Sequence, residues 1–132
     1  LFDLLTEEEE QSDALTAEMH FDIPFLSQRL LEATAWLENR CILPLGYFGA
    51  STGVAAALVA AAQKGSSIRA VVSKGGRPDL ARGSLSRVFS ASLLIVGGLD
   101  EAVIGMNQEA FQLMSCEKNS KPLQERPIYL KR

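Results

Sequence analysis

Leu45-Gly46-Tyr47-Phe48-Gly49-Ala50-Ser51-Thr52-Gly53 runs directly into Val54-Ala55-Ala56-Ala57-Leu58-Val59-Ala60-Ala61-Ala62-Gln63-Lys64-Gly65, and this stretch decides the fold. Leu45 to Phe48 is a short apolar run that stops at Gly49. Thr52 to Gln63 is almost entirely alanine, valine and leucine, and Gly65 ends it. The reading is a strand, a sharp turn and a buried helix, with glycine as the residue that lets the helix stop.

Outward from this unit the pattern repeats. Ile68-Arg69-Ala70-Val71-Val72-Ser73 is a β-branched strand bounded by Gly75-Gly76, and Ser92 to Val96 is another bounded by Gly97-Gly98. Arg77-Pro78-Asp79 opens a connection with one helical turn expected near Leu80 to Leu85, and Ala102 to Met114 is a last helix. Upstream, Asp22 caps a helix from about Ile23 to Asn39 that tolerates Pro24 in its first turn and places Leu26, Leu30, Ala33 and Leu37 on one face. Trp36 is expected to pack on that helix. Leu1 to Leu5 reads as the end of a buried strand, followed by a polar, acidic connection through about Met19. Strands alternating with helices imply a three-layer α/β/α sandwich with a mostly parallel sheet covered on both faces, and sites at the carboxyl ends of its strands.

Composition narrows the function. The chain has 132 residues, 47% of them hydrophobic, enough for one core. With 13 basic against 16 acidic residues there is no basic stripe to neutralise phosphates, so nucleic acid is not an expected partner. The run Glu7-Glu8-Glu9-Glu10 reads as a solvated loop, not a metal site, because clustered like charges repel. Cys41 and Cys116 lack zinc-ligand spacing and do not indicate a disulfide scaffold, which fits a reducing cytoplasm. No run of apolar residues approaches the roughly 18 to 20 that a membrane span needs, and no signal peptide heads the chain.

The chemistry is carried by Gly49-Ala50-Ser51-Thr52-Gly53, a G-x-S-x-G motif placed where a strand meets a helix. The absence of β-carbons at Gly49 and Gly53 is read as allowing strand and helix backbones to approach while Ser51 is held on a strained turn. Its hydroxyl would then stand above the sheet, with the Thr52 amide available to an oxyanion at the positive end of the helix. The bland alternative is a serine that only caps the helix. A serine nucleophile needs a base, and the base needs an acid to fix its tautomer. Asp100, beyond Gly97-Gly98, is the first candidate acid and Asp79 the second; a helix cap is the alternative role for Asp100. The single histidine, His20, precedes Ser51 and reads as a surface histidine or one at a helix start.

These residues resemble the α/β-hydrolase superfamily, and within it small serine hydrolases similar to dienelactone hydrolases. The resemblance runs from Leu1 to about Glu117. It rests on Leu1-Phe2-Asp3-Leu4-Leu5-Thr6, on Phe21-Asp22-Ile23-Pro24, on Gly46 to Gly53, on Val71 to Ala81 and on Leu94 to Asp100. It implies hydrolysis of an ester, lactone or similar acyl compound through an acyl-enzyme, without metal or organic cofactor, with Ser51 as nucleophile and Asp100 as acid. The family also has strands upstream of Leu1, including a loop that donates the second oxyanion amide, and closes on a segment resembling Gly-Ala-Thr-His-Leu-Phe-Glu-Glu that supplies the base. The expected organisation is therefore a partial hydrolase core over 1–117 and a divergent tail over 118–132. An exposed sheet edge would invite a homodimer, and the alternative function is an inactive hydrolase fold serving as a binding or interaction module.

The tail has a specific reading. Leu123 to Arg132 can be written CTC CAG GAG CGA CCC ATT TAT TTG AAG AG, which from its third base encodes Pro-Gly-Ala-Thr-His-Leu-Phe-Glu-Glu. Synonymous codons leave freedom at some bases, but the protein sequence fixes most of them. A frameshift between about Cys116 and Leu123 is expected. Sequencing the gene across that stretch should reveal a shifted junction; one uninterrupted frame through Arg132 would dismiss it.

Overall fold

The computed structural model describes residues 2–98 and 101–116, together with the backbone of 128–131. Its first departure from expectation is at the acidic run, which is helical. In α1 (Glu7–Thr16) the Thr6 hydroxyl accepts from the Glu9 amide at 3.3 Å, and the Glu9 carboxylate accepts from the Thr6 amide at 2.8 Å. This reciprocal cap satisfies two otherwise orphaned donors, and all four glutamates lie in the first turn, where the helix dipole favours negative charge. Arg29 then grips the Glu9 carboxylate with both terminal nitrogens, Nη2 to Oε1 at 2.6 Å, and its Nη1 donates to the Leu4 carbonyl at 2.9 Å. These hydrogen bonds hold the Glu9 carboxyl below its ordinary pKa.

The same contacts explain a second correction. Phe2 to Leu5 form no strand; Leu4 and Leu5 instead pack, partly buried, against the core, while Phe2 stays exposed. The short α2 (Glu18–Phe21) follows, its turn fixed by the buried Asp13, whose carboxylate accepts from the amides of Met19 at 2.7 Å and His20 at 3.1 Å.

α3 (Ile23–Glu38) begins as anticipated: Asp22 accepts from the Phe25 amide at 3.0 Å and Pro24 sits in the first turn, where its missing N–H costs nothing. Its buried face includes Ile23 and Leu26. Trp36 is not a packing residue. It is 58% exposed, with the Arg40 guanidinium 4.2 Å above its ring centroid.

The central unit is β1 (Leu45–Ala50), α4 (Gly53–Lys64) and β2 (Ile68–Lys74), followed by a 3-10 helix at Pro78–Arg87, β3 (Ala91–Ile95), α5 (Glu101–Leu113) and β4 (Ile128–Lys131). The connection expected to hold one turn thus holds a ten-residue 3-10 helix. The sheet order is β1-β2-β3-β4, with the first three strands parallel and β4 antiparallel to β3. This is the mostly parallel, helix-flanked sheet of a partial α/β/α sandwich. Ala55, Ala56, Ala57, Ala60 and Ala61 are each no more than 1% exposed, so α4 meets its neighbours largely through β-carbons, with Val54 and Leu58 buried beside them. Cover over the other face is thinner at β1, where Tyr47 and Gly49 are buried but Gly46, Phe48 and Ala50 are exposed. In β3 the alternate residues are half-buried.

No helix among the described residues is long and apolar enough to cross a membrane. Because α1 owes its start to the Thr6 cap, Thr6→Ala should lower stability by about 1 kcal/mol, read as a lower urea midpoint with an unchanged slope.

Candidate functional site

The register brings the carboxyl ends of three strands level. Ala50 stands opposite Lys74, and Lys74 opposite Ile95, so the chain leaves β1, β2 and β3 at one edge of the sheet. Ser51 is the first residue beyond β1, and Thr52 stands at the N-cap position of α4 without a side-chain capping hydrogen bond. Asp100 and Leu99 lie outside the described residues.

Ser51 has φ of 50°, in the left-handed region that a residue with a β-carbon rarely adopts. Two contacts hold it there. The Ser51 carbonyl accepts from the Val54 amide at 3.3 Å within the turn and from the Arg77 amide at 3.1 Å across from β2. Ser51 is exposed while its neighbour Thr52 is buried. The result is a serine lifted out of the backbone at the N-terminal end of a twelve-residue helix.

The two glycines of the motif do different work. A β-carbon at Gly49 would stand 2.8 Å from the Gly53 carbonyl oxygen and 2.9 Å from the Val54 nitrogen, so strand and helix can meet here only because Gly49 lacks one. A β-carbon at Gly53 would meet nothing within 4 Å. The steric role expected of Gly53 is therefore corrected: its backbone is the surface that Gly49 approaches, and its own side-chain position is open.

The loop after β2 closes over this turn. Gly75 has φ of 55° and its amide donates to the Ile95 carbonyl at 2.8 Å. A β-carbon at Gly76 would overlap Val54 Cγ2. Arg77 and Asp79 form a two-pronged pair, Nε to Oδ1 at 2.9 Å and Nη2 to Oδ2 at 2.8 Å. The Arg77 hydrogen bonds hold the Asp79 carboxyl below its usual range, so this second candidate acid is engaged by Arg77.

A cavity of about 660 Å³ runs along β1 between the strand and the N-terminal helices, with Ser51, Thr52 and Gly53 in its wall. Leu26, Leu30 and Phe48 contribute apolar surface. The size is that of a small-molecule site. His20 also lines this cavity, its Nδ1 3.5 Å from the Asp13 carboxylate. Its position in the wall is not legible in the sequence, because nothing in that polar, acidic stretch signals α2 or the Asp13 contacts that set its turn.

With this geometry established, relatives place the chain. A solved dienelactone hydrolase from Anabaena variabilis ATCC 29413 superposes with a TM-score of 0.79 at 52% identity, covering 86% of this chain and 54% of its own. This chain carries part of an α/β-hydrolase fold. Two Mycobacterium tuberculosis proteins, from strains CDC 1551 / Oshkosh and H37Rv, each named "putative phosphoribosyl transferase", are 55% identical to it over 113 residues. The match takes in 83% of this chain and 25% of each mycobacterial protein, so the chain spans about a quarter of the length of these curated relatives. No protein-family profile matches it.

The unequal packing of the two motif glycines gives a direct test. Gly49→Ala should cost roughly 1–3 kcal/mol through overpacking, whereas Gly53→Ala should be neutral or stabilise by about 0.5 kcal/mol, both measured by urea unfolding. Equal losses at the two positions would contradict the packing described.

Proposed function

We propose that the chain is part of a serine hydrolase acting on ester- or lactone-type acyl compounds, with Ser51 as nucleophile. The observation that carries this reading is the left-handed backbone of an exposed serine at the start of α4, in the wall of a small-molecule-sized cavity. Left-handed strain in a non-glycine residue costs on the order of 1–3 kcal/mol. The tight packing calls for a left-handed residue, which glycine would supply without that cost; a serine in its place is accounted for by a nucleophile that must stand clear of the sheet.

In this mechanism Ser51 Oγ attacks the acyl carbonyl and passes its proton to a base. The carbonyl oxygen becomes an oxyanion beside the Thr52 amide, stabilised by the helix N-terminus. Collapse expels the alcohol, which takes the proton back from the base, and leaves an acyl-Ser51. Water then repeats the sequence and releases the acid. Asp100 is assigned the acid that orients the base, since it follows β3 and the β1 and β3 ends share one edge. The base that the resemblance implies is a histidine beyond Asp100, and this sequence has none there.

The dienelactone hydrolase and the mycobacterial proteins match largely the same residues, since each alignment covers more than four fifths of this chain. That supports a hydrolase reading for this segment, whatever the remaining three quarters of the mycobacterial proteins do. For the sequence as it stands, with one histidine placed before Ser51, turnover is expected to be lower than that of an intact triad by roughly 10⁴-fold or more. The same histidine count favours a second reading, a hydrolase fold without turnover that binds small acyl ligands in the cavity.

Labelling with a fluorophosphonate probe separates the two. Ser51 should be modified slowly in the unaltered chain, and Ser51→Ala should abolish modification with the unfolding midpoint changed little or raised. Equal labelling of the alanine variant would reject Ser51 as nucleophile, and an unlabelled parent chain would leave the binding reading.

A further inference from the structure

We infer that Asn107, on α5 and remote in sequence from the motif, is a positioning residue that holds the Ser51 turn in its left-handed form through the Gly76-Arg77 peptide group. This rests on the reading of Ser51 as the reactive group.

Asn107 is 0% exposed. An asparagine in the middle of a thirteen-residue helix is a poor choice on propensity, and burying its amide costs free energy unless hydrogen bonds offset it. Its Nδ2 donates to the Val103 carbonyl at 2.8 Å, a local contact any helical asparagine can make, and to the Gly76 carbonyl at 3.2 Å, which is not local. Both contacts use the nitrogen. Oδ1 is buried and has no hydrogen-bond partner among the described residues, so the donor end is what the site uses.

The Gly76 carbonyl and the Arg77 amide are two ends of one planar peptide group. The oxygen end receives the Asn107 amide, and the N–H end donates to the Ser51 carbonyl at 3.1 Å. A rigid plane anchored at one end fixes the direction of the donor at the other. Polarisation acts in the same sense, because a hydrogen bond to the carbonyl strengthens the N–H as a donor. The plane cannot slide toward the helix, since Gly76 already abuts Val54 so closely that a β-carbon there would overlap it. Nor can it lift away freely, because Gly75 is tied to the Ile95 carbonyl. Asn107 adds a third tie, from α5 to the oxygen end of the plane.

Amide hydrogen exchange on the full chain tests the clamp, and probe labelling tests its consequence. In the unaltered chain the Arg77 backbone amide and the Asn107 side-chain amide should be protected; free exchange of either overturns the inference. Asn107→Leu removes the donors at similar volume, and Asn107→Ala does so without added bulk. In whichever variant retains the core protection of Val71 and Leu94, Arg77 exchange should accelerate about tenfold, and the Ser51 labelling rate should fall roughly tenfold to a hundredfold. A folded variant with unchanged Arg77 exchange and unchanged labelling overturns the assignment. A chain whose Arg77 amide is protected and released by the substitutions, but whose serine never reacts, keeps the clamp and removes only the hydrolase reading.

Discussion

The contact between the end of β1 and the start of α4 is the constraint on which the rest of this molecule depends. Backbone meets backbone there, at a separation that leaves no room for a β-carbon on Gly49. Val54, in the first turn of α4, is hemmed from two sides: its nitrogen faces Gly49 and its side chain faces Gly76, two positions where even a methyl group would collide. Because the helix starts so close to the strand, the chain has only Ser51 and Thr52 in which to reverse. A turn that tight forces a left-handed residue, and the residue placed there is Ser51. The strain at the serine is the geometric consequence of the packing beneath it.

The same closeness explains the composition of α4. A helix packed against α3, the 3-10 helix and two strands has little room for bulk, and five of its seven buried residues are alanine. Leu58 and Ile68 fill the volume that remains. Stability and site are thus coupled at one helix: its alanines permit the approach, the approach creates the turn, and the turn presents the hydroxyl at the helix end whose dipole favours developing negative charge.

How much of this could be read from residues alone follows from the range of the interactions. The order β1, α4, β2, β3, α5 was legible because each element announces itself within ten residues, by β-branched runs between glycines or by an alanine-rich stretch. The Asp22 cap was equally local, and the structure bears it out. Like-charge repulsion argues for a loop at the acidic run, but Thr6 and Glu9, three residues apart, cap one another and start a helix, and Arg29, twenty residues on, completes what the cap begins. Trp36 was misplaced because aromatic bulk argues for burial, whereas a flanking arginine can shelter one face of a ring at the surface. The strained turn at Ser51 is legible through the motif, but the distinction between its two glycines is not. That difference lies in which backbone faces which β-carbon, and no spacing rule encodes it.

The loop from Gly75 to Asp79 shows why the sequence gives so little account of what holds a strained turn. Nothing in Gly75-Gly76-Arg77-Pro78-Asp79 names Ser51, and nothing in Ser51 names Asn107. Each link is a hydrogen bond between elements brought together only after the sheet forms: Gly75 to β3, Gly76 to α5, Arg77 to the turn itself. Individually such bonds contribute on the order of 1 kcal/mol, no more than the strain they oppose. Two of them reach opposite ends of the same peptide plane, and its rigidity makes them act as one restraint. A left-handed serine can persist on those terms because relaxing it would require the loop to break its contacts with β3 and α5 together.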